Sequence, residues 1–434
     1  MLPDGVIVAY GSAVVRGHTN PLVIVADSSG RVLSSFYLEV KGRGVFLDAL
    51  PIEDGLVAVG YVDSVAGRRA ALAVGVRGGE IEWAVALGSG FVDFAKSMVP
   101  LNDSYALVGV TQPSRESDSD VLLIFADSSG RLREAYAMGA YMYNDFAERC
   151  YDLGGALVLI GSTWSHNVSY SDVLLIDARR ETLTTLGGAD RDEGFAVAAL
   201  EDGFVVVGST FSAPSSLSEA FYAVVRGSSF STFSIGWPGY DGFVDVHYFG
   251  GKLYVVGYSV HEGRERGLLF RASESGFERG VVLECEEDLT PLAVGSWGEE
   301  VAAVFSYSGS LLVVTFDGDL NPLRAFVVGH SAPPVVKVLK VRGVEQRSRA
   351  AEGWSLKSQT LTPKRVELLS RPLVARLVPL DLSSRRLAVE EGVLEEGEPL
   401  WRVLIRFIEG NIPLLVITIP LGAVIIAIIL RHRR

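Results

Sequence analysis

Residues 205–210 read VVVGST, a short apolar run that ends on a glycine. The same signature stands at 6–12 (VIVAYGS), 56–61 (LVAVGY), 106–111 (ALVGVT), 157–163 (LVLIGST) and 254–259 (YVVGYS). Gly11, Gly60, Gly109, Gly161, Gly208 and Gly257 are spaced by 49, 49, 52, 47 and 49 residues. A seventh copy, VAAVFSYS at 301–308, puts Ser306 at the glycine position. Before each run after the first lies another short apolar stretch, and two more follow every run. All are rich in Val, Phe, Tyr and Ala and bounded by Gly, Asp and Ser. Four strands in a unit of about fifty residues are the mark of a propeller blade.

Labelled A to D outward from the axis, the strands start at B in the first unit, which lacks its inner strand A. The segment PPVVKVLKVRG at 333–343 follows the last unit with no strand after it. It is expected to supply the missing strand and close the ring, which removes an exposed sheet edge. The expected fold is all-β: a seven-bladed β-propeller over 1–343, closed by a C-terminal inner strand. A stalk at 344–411, one transmembrane helix at 412–430 and a basic tail at 431–434 complete the chain.

The unit GGADRDEGFAVAALEDGFVVVGSTFS (187–212), with SDVLLIFADSSGRL (119–132), resembles the SBBP-type β-propeller repeats of bacterial and archaeal secreted and surface proteins. The resemblance covers about 330 residues. It implies the propeller fold and a binding or scaffolding role, and it assigns no chemistry.

The chain has 434 residues, with 39 Lys and Arg against 52 Asp and Glu. Residues 1–343 carry 25 basic and 42 acidic side chains, a net −17, and residues 344–434 carry 14 and 10, a net +4. An acidic body of this kind repels phosphate backbones, which argues against nucleic acid as a partner. Nine Asn and Gln in total fit a hot habitat, although the arginine-rich basic set is not the usual thermophile signature.

Ile412–Leu430, IPLLVITIPLGAVIIAIIL, is an uncharged run of 19 residues, long enough for a helix to cross a bilayer. Arg431, Arg433 and Arg434 follow it at once. The positive-inside rule then favours a cytoplasmic C-terminus and an extracellular body. MLPDGVIVAYGS has neither a basic n-region nor a long apolar run, so a tail-anchored chain with a cytosolic body is the alternative. Within the stalk, VELLSRPLVARLVPLDL is expected to add one or two strands. PLWRVLIRFIEG (399–410) reads as an interfacial helix.

The B–C loops are long (TQPSRESDSD, STWSHNVSYSD, STFSAPSSLSE, YSVHEGRERG) and the A–B turns are tight. Loops on a rigid scaffold carry recognition. With the inner closing strand leaving on the A–B side, the B–C and D–A face is expected to point away from the membrane. Candidate ligand-binding aromatics there are Tyr61, Trp164, Phe211, Tyr258, Trp237 and Tyr240. Such side chains suit a protein or glycan ligand, or else cap the core between blades. Asp93, Asp145, Asp192 and Asp241 stand 16 residues before their glycines. They could ring the channel mouth as a cation or polar-ligand site, but the favoured reading is that each caps the D–A turn.

FDGDLN (316–321) and ESDSD (116–120) only faintly resemble calcium loops. His18, His166, His261 and His330 fall in different blades without metal-ligand spacing, and no cofactor or nucleophile motif is present. Cys150 and Cys285 lie about three blades apart, too far for a disulfide, and are expected to be free thiols. The leading functional reading is a membrane-anchored binding or scaffolding module for a protein or glycan. A propeller hydrolase using Asp145, Asp192 and Asp241, and a structural subunit of a membrane complex, are the alternatives.

Overall fold

Apolar runs of six to ten residues cut by Asp-Gly, Gly-Gly and Asn-Asp turns can bury themselves only by pairing with their neighbours. The computed structural model describes residues 6–341, apart from 28–30, 64–67, 90, 140–142, 166–169, 214–216 and 329–335, together with the strands between 349 and 393. The described strands form seven consecutive antiparallel meanders arranged as a β-propeller.

Meander 1 is β1 (Ile7–Val15), β2 (His18–Ala26) and β3 (Val32–Glu39). Meander 2 is β4 (Gly44–Ile52), β5 (Gly55–Asp63), β6 (Arg69–Arg77) and β7 (Glu80–Gly88). Meander 3 is β8 (Val92–Leu101), β9 (Ser104–Gln112), β10 (Asp120–Asp127) and β11 (Leu132–Met138). Meander 4 is β12 (Asp145–Asp152), β13 (Leu157–Thr163), β14 (Asp172–Asp177) and β15 (Thr182–Gly187). Meander 5 is β16 (Asp192–Leu200), β17 (Gly203–Thr210), β18 (Glu219–Arg226) and β19 (Ser229–Ile235). Meander 6 is β20 (Tyr240–Phe249), β21 (Lys252–His261), β22 (Arg264–Ser273) and β23 (Gly276–Glu284). Meander 7 is β24 (Thr290–Trp297), β25 (Glu300–Tyr307), β26 (Ser310–Phe316) and β27 (Pro322–Val328). Meanders 2 and 3 share one sheet through a single parallel bridge, Arg69 to Val92.

Burial follows cyclic order. Val23 and Leu38 of meander 1 pack with Phe46 and Leu72 of meander 2, whose Ala73 meets Leu107 and Leu122 of meander 3. Val108 packs with Leu159, and Ile160 with Val206 and Phe221. Tyr222 crosses to Phe277 at 4.9 Å and donates its hydroxyl hydrogen to the Ser273 carbonyl at 2.7 Å. Val256 and Leu269 meet Val314. Val313 and Phe326 then meet Ile7 and Ile24, which brings meander 7 back to meander 1. The ring thus closes by face packing.

It does not close by the expected inner strand. β28 (Val336–Lys340) pairs with β23 on the outer edge of meander 6, not with β1. Val328 ends at the rim, and only seven residues separate it from Val336. Val336 and Val338, at 0% and 1% exposure, fill the apolar cluster between meanders 6 and 7. Rim burial therefore wins over a crossing to the axis. The inference that the chain leaves on the A–B side, which oriented the propeller toward a membrane, loses its premise.

The described strands of the predicted stalk form a belt. β29 (Arg349–Ala350) pairs with β19, β30 (Ser355–Thr360) with β15, and β31 (Lys364–Arg365) with β11. β32 (Leu369–Pro372) pairs with β7, β33 (Arg376–Pro379) with β3, and β34 (Ser384–Arg386) with β27. β35 (Val389–Val393) lies outside β28. The segment visits meanders 6, 5, 4, 3, 2, 1, 7 and 6 again, and every outer strand D gains a partner. A sheet edge left bare would template aggregation, and the belt covers seven of them.

Among the described residues, no helix is long and apolar enough to cross a membrane. The expected span 412–430, the interfacial helix 399–410 and the basic tail lie outside the described residues, as do His166 and His330.

Candidate functional site

Six inner strands share one irregularity. Their pairing with strand B slips between Phe46 and Asp48, Ala95 and Ser97, Ala147 and Arg149, Gly194 and Ala196, Phe243 and Asp245, and Pro291 and Ala293. Each slip is a β-bulge that leaves one residue unpaired: Leu47, Lys96, Glu148, Phe195, Val244 and Leu292. All six line an axial channel of about 760 Å³, together with Tyr10 of β1.

The bulge also explains the repeating glycine. A Cβ on Gly60, Gly109, Gly161, Gly208 or Gly257 would stand 1.8–2.1 Å from a carbonyl oxygen of the adjoining strand A. No side chain fits there. In meander 7 the residue at this register is Phe305, paired with Pro291, not Ser306 as the spacing suggested.

In four meanders the residue after the bulge (Asp48, Ser97, Arg149 or Asp245) ties one inner strand to another. Asp48 Oδ2 accepts from Met98 N at 2.9 Å and Ser97 Oγ at 3.0 Å. Asp245 Oδ2 accepts from Val294 N at 2.9 Å, and Cys150 N donates to Ser97 Oγ at 3.4 Å. Arg149 and Asp245 form an ion pair at 2.5 Å across β16, whose equivalent residue is the small Ala196. Lys96 pairs with Glu148 of the neighbouring strand. Burial raises the Asp48 carboxyl above its usual range despite its donors. Burial opposes the charge of Arg149, but Asp245, Tyr151 and Tyr10 together outweigh it and hold the guanidinium above its ordinary value. Burial also lowers the pKa of His247, which shares a hydrogen bond of 3.0 Å with Ser296 Oγ. The axial charges thus serve the scaffold first.

The four candidate aspartates begin strands A at equivalent positions and are 0–1% exposed. Asp93 accepts from Ser89 N at 2.8 Å and Thr111 Oγ1 at 2.7 Å. Asp145 accepts from Ser165 Oγ at 2.8 Å. Asp192 accepts from Gly188 N at 2.7 Å and Ser212 Oγ at 3.0 Å, and Asp241 from Trp237 N at 2.7 Å. These contacts pin the D–A turn to strand B, as Asp at a turn does. Burial pushes the pKa of Asp192 up to about 6 and that of Asp241 up to about 7, with Asp172 and Glu219 adding negative charge beside them. The side chains are spread over four meanders rather than converging. Among the described residues, no group of three or more His, Cys, Asp or Glu is placed to hold a metal.

The aromatic candidates are mostly engaged in packing. Tyr61 is buried, edge-on to Phe94 at 5.2 Å and under the Arg69 guanidinium at 4.3 Å. Trp164 packs edge-on against Phe146 at 5.5 Å, and Trp237 leans on Phe270 at 6.1 Å. Tyr258 is half-buried, its phenol pushed up to about 12 by burial. Phe211 lies under Arg191 and beside Tyr240, which is 46% exposed.

B–C and D–A loops do share one face: Trp164 N donates to Asn144 O at 3.0 Å and Phe211 N to Arg191 O at 2.8 Å. On that face Tyr143, Tyr170, Leu217 and Tyr240, around meanders 4 to 6, are 46–60% exposed. Tyr170 and Leu217 were not singled out from the sequence. They sit in serine-rich loops (SHNVSYSD, APSSLSE) whose composition reads as solvated, and no periodicity marks them.

The calcium-like loop at 316–321 is a self-capped turn, with Asp317 Oδ1 accepting from Asp319 N and Asn321 N at 2.9 Å. His261 Nδ1 lies 2.9 Å from the Pro238 carbonyl. Cys150 and Cys285 are both free thiols, and burial pushes Cys285 up to about 12. No protein-family model matches the chain, and no curated protein matches it.

Proposed function

We propose that the chain is a seven-bladed, membrane-anchored binding or scaffolding module that engages a protein or glycan through its B–C and D–A face. The observation that carries this reading is the row Tyr143, Tyr170, Leu217 and Tyr240, large side chains left exposed on one face of adjoining meanders. Large apolar side chains left exposed on a rigid scaffold suit recognition. The four aspartates support it indirectly, because each commits at least one carboxylate oxygen to a donor of its turn or loop. A relation to SBBP-type repeats is part of the same proposal. So is anchoring through 412–430 with an extracellular body, which rests on the uncharged run and the arginines behind it.

Photo-crosslinking from positions 170 and 240, with Asp202 and Glu299 on the A–B side as controls, tests the face in intact cells. A defined protein or glycan adduct from the first pair alone is expected. Equal labelling from both faces, or from neither, refutes the reading. Alkaline extraction of membranes tests the anchor: the full chain should stay with the lipid and a chain ending at Gly410 should not.

A further inference from the structure

The strand B segments of meanders 2 to 7 lie sandwiched within their sheets. β13 is buried at every position, and β5 and β9 at all but their two end residues. β1 carries an equally apolar sequence, IVAYGSAVV, yet only Ile7 is buried. Tyr10 is 42% exposed and Val14 74%. β1 is the inner edge of its sheet and pairs with β2, and among the described residues no strand pairs with the side facing the axis.

Gly11 sharpens the point. It pairs with Leu22 as Gly109 pairs with Leu122, so it holds the same register as the other repeat glycines. At five of them a Cβ would collide with an inner-strand carbonyl, but around Gly11 nothing lies within 4 Å. The residue that makes room for a bulged inner strand is present, and no such strand stands among the described residues. The vacated strip opens on the channel, where Tyr10 forms part of the wall. It continues the ring of inner strands between β24 and β4.

We propose that the inner edge of β1 is a strand-acceptor site for an extended polypeptide segment donated from outside this chain. Main-chain pairing along β1 supplies the affinity, as in other β-strand additions. The six resident inner strands define the occupant's chemistry. It runs antiparallel to β1, bulges opposite Gly11, and alternates small or apolar side chains toward meanders 7 and 2.

Six labelled peptides carrying the β4, β8, β12, β16, β20 and β24 sequences are the probes, titrated into the full chain in detergent and read by fluorescence anisotropy and thermal unfolding. Saturable binding by at least one peptide and a rise in Tm of a few degrees are expected. Gly11→Val should leave the Tm of the unliganded chain within about 2 °C, since its Cβ meets open space, and should weaken peptide binding at least ~10-fold, since the same Cβ meets the donor's carbonyl. Gly109→Val, where the strand is already present, should lower Tm sharply. Three outcomes overturn the proposal: no saturable binding by any of the six; binding that Gly11→Val leaves unchanged; or a Gly11→Val chain as destabilised as Gly109→Val, which means the slot is already filled in cis.

Discussion

Asp241→Asn should make this protein more stable at alkaline pH and abolish much of its pH dependence. Asp241 is fully buried, holds the D–A turn through Trp237 N at 2.7 Å, and lies beside Glu219. Its carboxyl is raised from 3.8 to about 7, first by burial and further by the Glu219 charge. The folded state therefore binds a proton that the unfolded chain has released between about pH 4 and pH 7. Stability from this residue is fully present below the unfolded value and is lost as pH rises through the folded one. The shift corresponds to at most ~4 kcal/mol. Asp192, raised to about 6 by the same causes, adds a smaller loss over a lower window. Asn keeps an acceptor for the Trp237 amide and carries no charge at any pH. Urea unfolding at about pH 5 and about pH 8 should show the variant close to wild type at the lower pH and ~1–3 kcal/mol more stable at the higher. A variant less stable than wild type at the higher pH, or one with an unchanged slope, refutes the buried neutral carboxyl.

Gly161→Ala should cost ~2–4 kcal/mol in chemical denaturation, because its Cβ falls 1.8 Å from the Phe146 carbonyl and the bulged strand must move outward. Arg149→Met should cost ~1–3 kcal/mol by leaving the Asp245 carboxylate without its cation in the channel, and the added change Asp245→Asn should restore part of the loss in Tm. An additive double variant would contradict the pairing.

The repeat is legible because one geometry recurs. Five units place a glycine where the bulged inner strand presses on strand B, and four place an Asp where the D–A turn closes. Both requirements are local to about twenty residues, so they leave a periodic trace at Gly60, Gly109, Gly161, Gly208 and Gly257, and at Asp93, Asp145, Asp192 and Asp241. The turn-capping role of those aspartates was equally readable, since Asp before a strand commonly accepts from the turn behind it. Phe305 shows the limit. Once the glycine is replaced, spacing alone misplaces the register by one residue, and only the pairing with Pro291 restores it.

What lies between units had no such trace. The channel ion pairs join Lys96 to Glu148 and Arg149 to Asp245, residues 52 and 96 positions apart, and nothing local selects those partners. Within the belt, β32 and β33 fall where the sequence leads one to expect strands, while the other strands read as stalk because two to six residues carry too little alternation and each is defined by the rim it meets. By itself, then, the sequence determined the repeating strand unit, its turns and its acidic surface, all consequences of near-neighbour sterics and hydrogen bonding. Only the tertiary structure decided how the ring closes, which edge the C-terminal segment takes and which inner edge has no strand beside it among the described residues. Those outcomes depend on apolar side chains such as Val336 and Val338 finding burial against residues far away in the chain, a competition that no short stretch encodes.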